Sequence, residues 1–229
     1  MTIRRTVAPG TALPSGVPAY KKPKNSAAAR AKDLLSRMSL EEKAAQMMCV
    51  WQEKAAKLLD AQGDFDLKKA RAAFGHGHGI GQVGRPGDAG GDPAAPAYGK
   101  SARGMAELTN AIQKFFLEQT RLGVPVLFHE ECLRGHAARD GTSFPQPIGL
   151  AGTFDPELVE RLFAMTAKEA RLRGAHQALT PVVDVTNMMH SGAAASATAR
   201  DPNRRILLHQ TELWHGRSAA VRKLMRYAR

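Results

Sequence analysis

Cysteine is nearly absent: Cys49 and Cys132 are the only two in 229 residues. That excludes a small secreted scaffold stapled by disulfides, and two reduced thiols in the cytoplasm are expected. Long apolar runs are missing as well. No window approaches the ~18 consecutive apolar residues of a membrane-spanning helix, so no membrane partner is expected. The opening residues, Met1-Thr2-Ile3-Arg4-Arg5-Thr6, carry a basic pair with no apolar stretch behind it. A secretory leader is therefore not expected, and Arg4-Arg5 alone does not make a twin-arginine export signal. Aromatic residues are sparse at 6%, but a hydrophobic content of 43% suffices for a core and excludes wholesale disorder.

Acidic residues are outnumbered, 21 against 33 Lys and Arg, for a net charge of +12. Such an excess invites a nucleic-acid reading, because clustered cations gain from counterion release. The excess is not in the body of the chain. Residues 1–32 are net +7, residues 186–229 are net +6, and the segment between them is net −1. That body also lacks paired metal-binding cysteines and aromatic-rich RNA-binding strands, so no nucleic-acid partner is expected.

Residues 1–27 are rich in Pro, Gly, Lys and Ser and read as a flexible basic arm. Ser39-Leu40-Glu41-Glu42 is a capping box, and Leu40, Ala44, Met47 and Met48 fall on one helical face behind it. Met48–Trp51 is a strand candidate, and 53–73 reads as helix broken near Gly63. Gly79–Gly84 is strand-like at its centre, and 85–100 is a loop of Gly, Pro and Asp. An amphipathic helix is predicted over 103–121, stopped at Gly123. A strand is predicted over Val124–Phe128, ending at His129-Glu130-Glu131. Asp155-Pro156-Glu157 opens a helix running to about Gly174, and 178–184 is the fourth strand candidate. Helices thus alternate with short strands that are apolar on both faces, the pattern of a parallel sheet covered by helices. The expected fold class is therefore α/β, a layer or a barrel; a closed eight-stranded barrel needs about 250 residues, so this chain would supply roughly the first half of one, followed by an irregular basic tail.

Two motifs point elsewhere and fail on context. Gly79-Ile80-Gly81-Gln82-Val83-Gly84 has the spacing of a dinucleotide fingerprint, but no strand precedes it and Arg85-Pro86-Gly87 follows where a helix should begin. His76 and His78, with His129 and His136, could be metal ligands, yet the pair lies among glycines and no third ligand has a fixed spacing. No cofactor and no metal are expected. The strand ends are more informative. In parallel α/β folds they share one face, and here they carry Arg85, then Glu130 and Glu131, then Asp184. Carboxylates accept paired hydroxyl donors and Arg supplies a fixed fork, which suits a sugar pocket. Polar residues entering loops would give the same pattern.

The pieces Leu34–Lys43, Gly79–Val83, Gly123–Val126, Glu131-Cys132-Leu133-Arg134-Gly135-His136, Thr142–Ala151, Thr153–Pro156, Glu169-Ala170-Arg171 and Ala178–Val185 occur in one order. As an ordered set they resemble the amino-terminal barrel domain of glycoside hydrolase family 3, the β-glucosidases and β-xylosidases. The resemblance implies retaining hydrolysis of β-linked glucosides or xylosides from the non-reducing end. It assigns Glu131, the acid of the Glu-x-x-x-Gly motif, to the sugar hydroxyls, and puts Arg85 at the pocket rim and Asp184 at the next strand end. After Val185 the family's Arg-Asp-Pro-Arg-Trp-Gly-Arg segment, Lys-His motif and nucleophile strand do not follow; only Arg200-Asp201-Pro202 is found. The expected organisation is an arm over 1–27, a partial barrel domain over 28–185 and a non-family tail over 186–229, the tail reading as a shifted frame or interrupted gene. No catalytic carboxylate is expected within the chain, which predicts an inactive chain on its own. The alternative is a non-catalytic sugar-binding or interaction module.

Overall fold

The computed structural model describes residues 17–86 and 99–180, together with two short strands at 185–186 and 198–199. Asp184 and the greater part of the basic tail lie outside the described residues, as do residues 1–16 of the arm. The remainder of the arm is packed. A 3-10 turn, Ala19–Lys21, buries Tyr20, whose hydroxyl donates to Leu122 O at 2.6 Å and whose backbone N–H donates to Asp33 Oδ2 at 2.9 Å. The expectation of a flexible arm is corrected from Val17 onward: one aromatic anchor with a satisfied hydroxyl is enough to tie the segment down.

Helix α1 (Ala27–Arg37) is capped by the Ser26 side chain, and α2 (Leu40–Ala45) by the predicted capping box. Ser39 N donates to Glu42 Oε2 at 2.8 Å, and Glu42 N to Ser39 Oγ at 3.2 Å. The apolar face predicted for α2 is not the buried one. Leu40 and Met47 are 77% and 88% exposed, whereas Glu42 is 2% exposed. Arg121 explains this inversion: its Nε donates to Glu42 Oε1 at 2.8 Å, and its Nη2 reaches both Glu42 Oε2 and Arg37 O. A short helix fixed by a paired charge need not bury its leucine.

Four strands follow, β1 (Cys49–Val50), β2 (Gln82–Gly84), β3 (Leu127–Glu131) and β4 (Gln177–Leu179). They lie side by side in chain order, every pair parallel. Between β1 and β2 stand α3 (Lys54–Lys57) and α4 (Leu67–Phe74); α5 (Ala102–Gln119) links β2 to β3; α6 (Pro147–Ala151) and α7 (Pro156–Leu172) link β3 to β4. Sequential parallel order with helical crossovers is an arc of a barrel, because a doubly wound sheet would reverse its strand order at a switch point. A separate parallel pair, β5 (Val185–Thr186) and β6 (Thr198–Ala199), puts ladder structure into a stretch where no strand was predicted.

One core joins the sheet to α4 and α5. Val50, Val83 and Phe128 project from the helix-facing side into Phe74, Met105, Leu108, Ile112, Phe115 and Phe116. The rings of Phe74 and Phe116 meet edge to face at 5.1 Å, as do those of Phe115 and Phe116. Helix α5 ends at Gln119, ahead of the predicted stop at Gly123; Gly123 instead makes the turn into β3 at φ +61°. The third strand is also displaced, from the predicted 124–128 to 127–131. Pro125 has no N–H to give a ladder, and Val126 is taken by α5: its N–H donates to Gln113 Oε1 at 2.7 Å and its carbonyl accepts from Gln113 Nε2 at 2.9 Å.

Candidate sugar-binding site

The displacement of β3 brings His129, Glu130 and Glu131 into the strand, so their side chains alternate between the two faces. Register sorts them. Phe128 pairs with Val83 on the helix face, and Glu130 falls on that face with Ala178. His129 pairs with Gly84 and Gln177, and Glu131 with Leu179, on the opposite face, which in a closed barrel lines the interior. Glu131 is the last residue of β3 and half-buried, and its carbonyl accepts from Ala137 N at 3.0 Å. The carboxylate therefore stands at the carboxyl end of the sheet, on the interior face.

Glu130 is buried on the helix side, with Oε2 3.9 Å from His136 Nε2. Neighbouring Cys132 is wholly buried, and burial, reinforced by Glu130, Glu131 and Glu169, pushes its thiol up to about 12, so it is inert as a nucleophile. The loop after β3 is held from α7. Glu169 accepts from Thr142 N at 3.0 Å and from Thr142 Oγ1 at 2.5 Å, and Arg173 donates to Arg139 O at 2.6 Å. Burial tends to raise the Glu169 carboxyl, but those two donors, with Arg173 and His136, hold it below the usual carboxylate range.

Arg85 follows β2 directly. Its backbone is left-handed at φ +47°, held there by an N–H donated to His129 O at 2.7 Å, and a non-glycine residue pays for that conformation. Its guanidinium lies over the Trp51 ring, 5.1 Å from the centroid. Beneath this pair, the buried Lys54 of α3 donates to Gly84 O at 3.0 Å. His129 is the hub. Its Nδ1 lies 2.9 Å from Gln82 Oε1, and its ring crosses the end of β2 where Gly84 leaves room. Burial lowers the His129 pKa; Glu130 and Glu131 oppose the shift while Lys54 and Arg85 add to it.

The structure thus puts Glu131 and His129 on the interior face of β3 with Arg85 directly after the adjacent β2, puts Glu130 on the opposite face, and leaves Asp184 outside the described residues. Residue reading missed Gln82, Trp51 and Lys54, because their roles depend on register between strands far apart in sequence. The rings of His76 and His78 meet at a tilt of 42°, 4.5 Å between centroids, in the loop after α4.

Residues 39–206 match the glycosyl hydrolase family 3 N-terminal domain. The matched span takes in Arg200-Asp201-Pro202 and so enters the segment expected to be a non-family tail. Among relatives, the chain is 34% identical to a putative beta-xylosidase of Formosa agariphila over 169 residues, covering 73% of this chain and 21% of that protein. It is 32% identical to the periplasmic beta-glucosidase/beta-xylosidase of Dickeya chrysanthemi over 167 residues, covering 69% of this chain and 24% of the relative. The chain thus spans less than a quarter of the length of these relatives. Among solved structures, a beta-glucosidase of Erythrobacter marinus superposes with a TM-score of 0.65 at 28% identity, covering 82% of this chain and 22% of that one. A Listeria innocua beta-glucosidase, solved with glucose, shares the fold at TM-score 0.56 and 22% identity, covering 82% of this chain and 24% of that one. With these matches and a sequentially ordered parallel sheet, the chain belongs to glycosyl hydrolase family 3, as part of its N-terminal domain.

Proposed function

We propose that this chain supplies the sugar-recognition part of a β-glycosidase that removes β-linked glucosyl or xylosyl units from the non-reducing end, and that these 229 residues alone hold the sugar without cleaving the bond. The observation that carries this reading is the position of Glu131 at the carboxyl end of β3 on the interior face, with Arg85 closing the end of the adjacent strand. An ionised carboxylate accepts two hydroxyls of one sugar ring, and a guanidinium fork donates to ring oxygens. Asp184, which lies outside the described residues, is the third proposed contact.

Retaining hydrolysis needs a nucleophile and an acid/base about 5–5.5 Å apart across one bond. Glu130 and Glu131 project from opposite faces of β3, so they cannot serve as that pair. Turnover therefore requires carboxylates that these residues do not provide. Two measurements test the proposal: p-nitrophenyl β-glucoside and β-xyloside hydrolysis, and binding of glucose or xylose. Binding without turnover is expected. Turnover by the isolated chain, lost in Glu131→Ala, would contradict the non-catalytic part, and absence of any sugar binding would contradict the whole.

A further inference from the structure

We propose that His129 is a second sugar-contacting side chain, its Nε2 accepting a ring hydroxyl at the floor of the pocket beneath Glu131. This rests on the sugar-pocket reading above and adds a residue to it. Three independent features of the structure converge on the imidazole.

His129 shares the interior face of β3 with Glu131 and stands two residues below it, so both side chains look the same way. Its orientation is fixed from the other ring atom. Nδ1–H donates to Gln82 Oε1 at 2.9 Å, which leaves Nε2 as the acceptor of a neutral ring. No partner for Nε2 is present among the described residues, and the residue is only half-buried, so that atom remains available. Finally, the sequence has kept space for the ring. A Cβ at Gly84 would sit 2.6 Å from His129 Nε2, 3.0 Å from its Cε1 and 3.2 Å from Trp51 Cβ, distances that a methyl group cannot share. An imidazole serving only to fill a core would not need one ring nitrogen anchored, the other open, and a glycine cut away beneath it.

The charged groups around the ring are Glu130 and Glu131 on its own strand, Lys54 of α3 and Arg85 after β2, with the Cys49 thiol of β1 alongside Gln82 in the register. Burial, Lys54 and Arg85 outweigh the two carboxylates, and the ring stays neutral down to a pH below the ordinary histidine value. In acid it charges. Nε2 then becomes a donor, and the cation competes with sugar hydroxyls for the Glu131 carboxylate. Sugar binding should therefore weaken as pH falls through the lowered His129 pKa.

The test measures binding of methyl β-glucoside, and of its monodeoxy analogues, to the full chain by titration calorimetry or NMR. Wild type, His129→Gln, His129→Leu and Glu131→Gln are compared. Loss of one neutral hydrogen bond predicts about a tenfold weaker affinity in His129→Leu, with partial recovery in His129→Gln, whose amide oxygen can still accept. One deoxy analogue should bind wild type as weakly as His129→Leu binds the parent sugar, and should be indifferent to the substitution. The acid fall in affinity should vanish in His129→Gln. If wild type binds and Glu131→Gln does not, yet both His129 variants bind every analogue as wild type does with the same pH profile, this proposal alone is overturned. If wild type binds no sugar at any pH, the pocket reading itself fails and His129 falls with it.

Discussion

At the residue scale, Gly84 and Glu42 show how single side chains set the site and its support. Gly84→Ala would drive a methyl group into His129 and Trp51. Overpacking of this kind costs about 1–3 kcal/mol, measurable as a shift in the urea midpoint, and it should lower sugar affinity as well because the ring must move. Glu42 is held below its ordinary pKa: burial alone would raise it, but the Arg121 guanidinium and the Ser39 N–H outweigh burial. A depressed folded value means the stabilisation is present above the unfolded carboxylate pKa and lost as pH falls through the folded one. Breaking a buried pair costs 3–5 kcal/mol; with Arg121 24% exposed, about 2–4 kcal/mol is expected for Glu42→Gln at pH 7. That penalty should shrink steadily in acid unfolding measurements, and a pH-independent penalty would show that the charge is not what matters. The Ser39–Glu42 box was legible because it is a local pattern. The burial of Glu42 was not, since its partner lies 79 residues away.

At the element scale, α7 and the loop after β3 form one unit. The Asp155-Pro156-Glu157 start predicted the helix, and it occupies Pro156–Leu172 with Asp155 capping Leu158 N at 2.8 Å. Its use of Glu169 to hold Thr142 could not be read from the sequence, because the loop has no period to place Thr142 anywhere. Glu169→Ala should leave the helix intact in far-UV circular dichroism while the Thr142 amide loses hydrogen-exchange protection. Unchanged protection there would show that the loop is held by something else. Strand β4 has its own clasp. His176 N donates to Phe128 O at 2.8 Å, its Nδ1 accepts from Phe128 N at 3.0 Å, and its ring stacks on Phe128 at 5.6 Å. Burial, with Arg171 nearby, lowers the His176 pKa. The unfolded chain therefore takes up the proton first, and stability should fall as pH drops from about 6.5 toward the lowered folded value. His176→Gln should flatten that part of the profile.

At the scale of the whole molecule, the alternation of helix and strand pointed to a parallel sheet in a layer or a barrel, the family resemblance implied the barrel, and the four strands lie in the sequential order of a barrel arc. What the pattern misjudged was position along β3, by three residues. Apolar character favoured 124–128, whereas Pro125 and the Gln113 clamp on Val126 delay the ladder to Leu127. That shift carries Glu130 and Glu131 from the strand's end into its ladder, which decides which of the two carboxylates takes the interior face. A site defined by strand ends is thus foreseeable as a set of residue types, while its geometry waits on register. The hub at His129 is a product of that register, joining residues from β2 and β3 with the helix between β1 and β2.

The most direct test of the account is thermal unfolding of the chain with and without glucose, in wild type and in Glu131→Gln. A ligand at a hundred times its Kd adds about 2.7 kcal/mol, a shift of several degrees for a domain of this size. A cooperative transition is expected that rises with glucose in wild type and stays in place in Glu131→Gln. An equal rise in both proteins, or none in wild type, would contradict it.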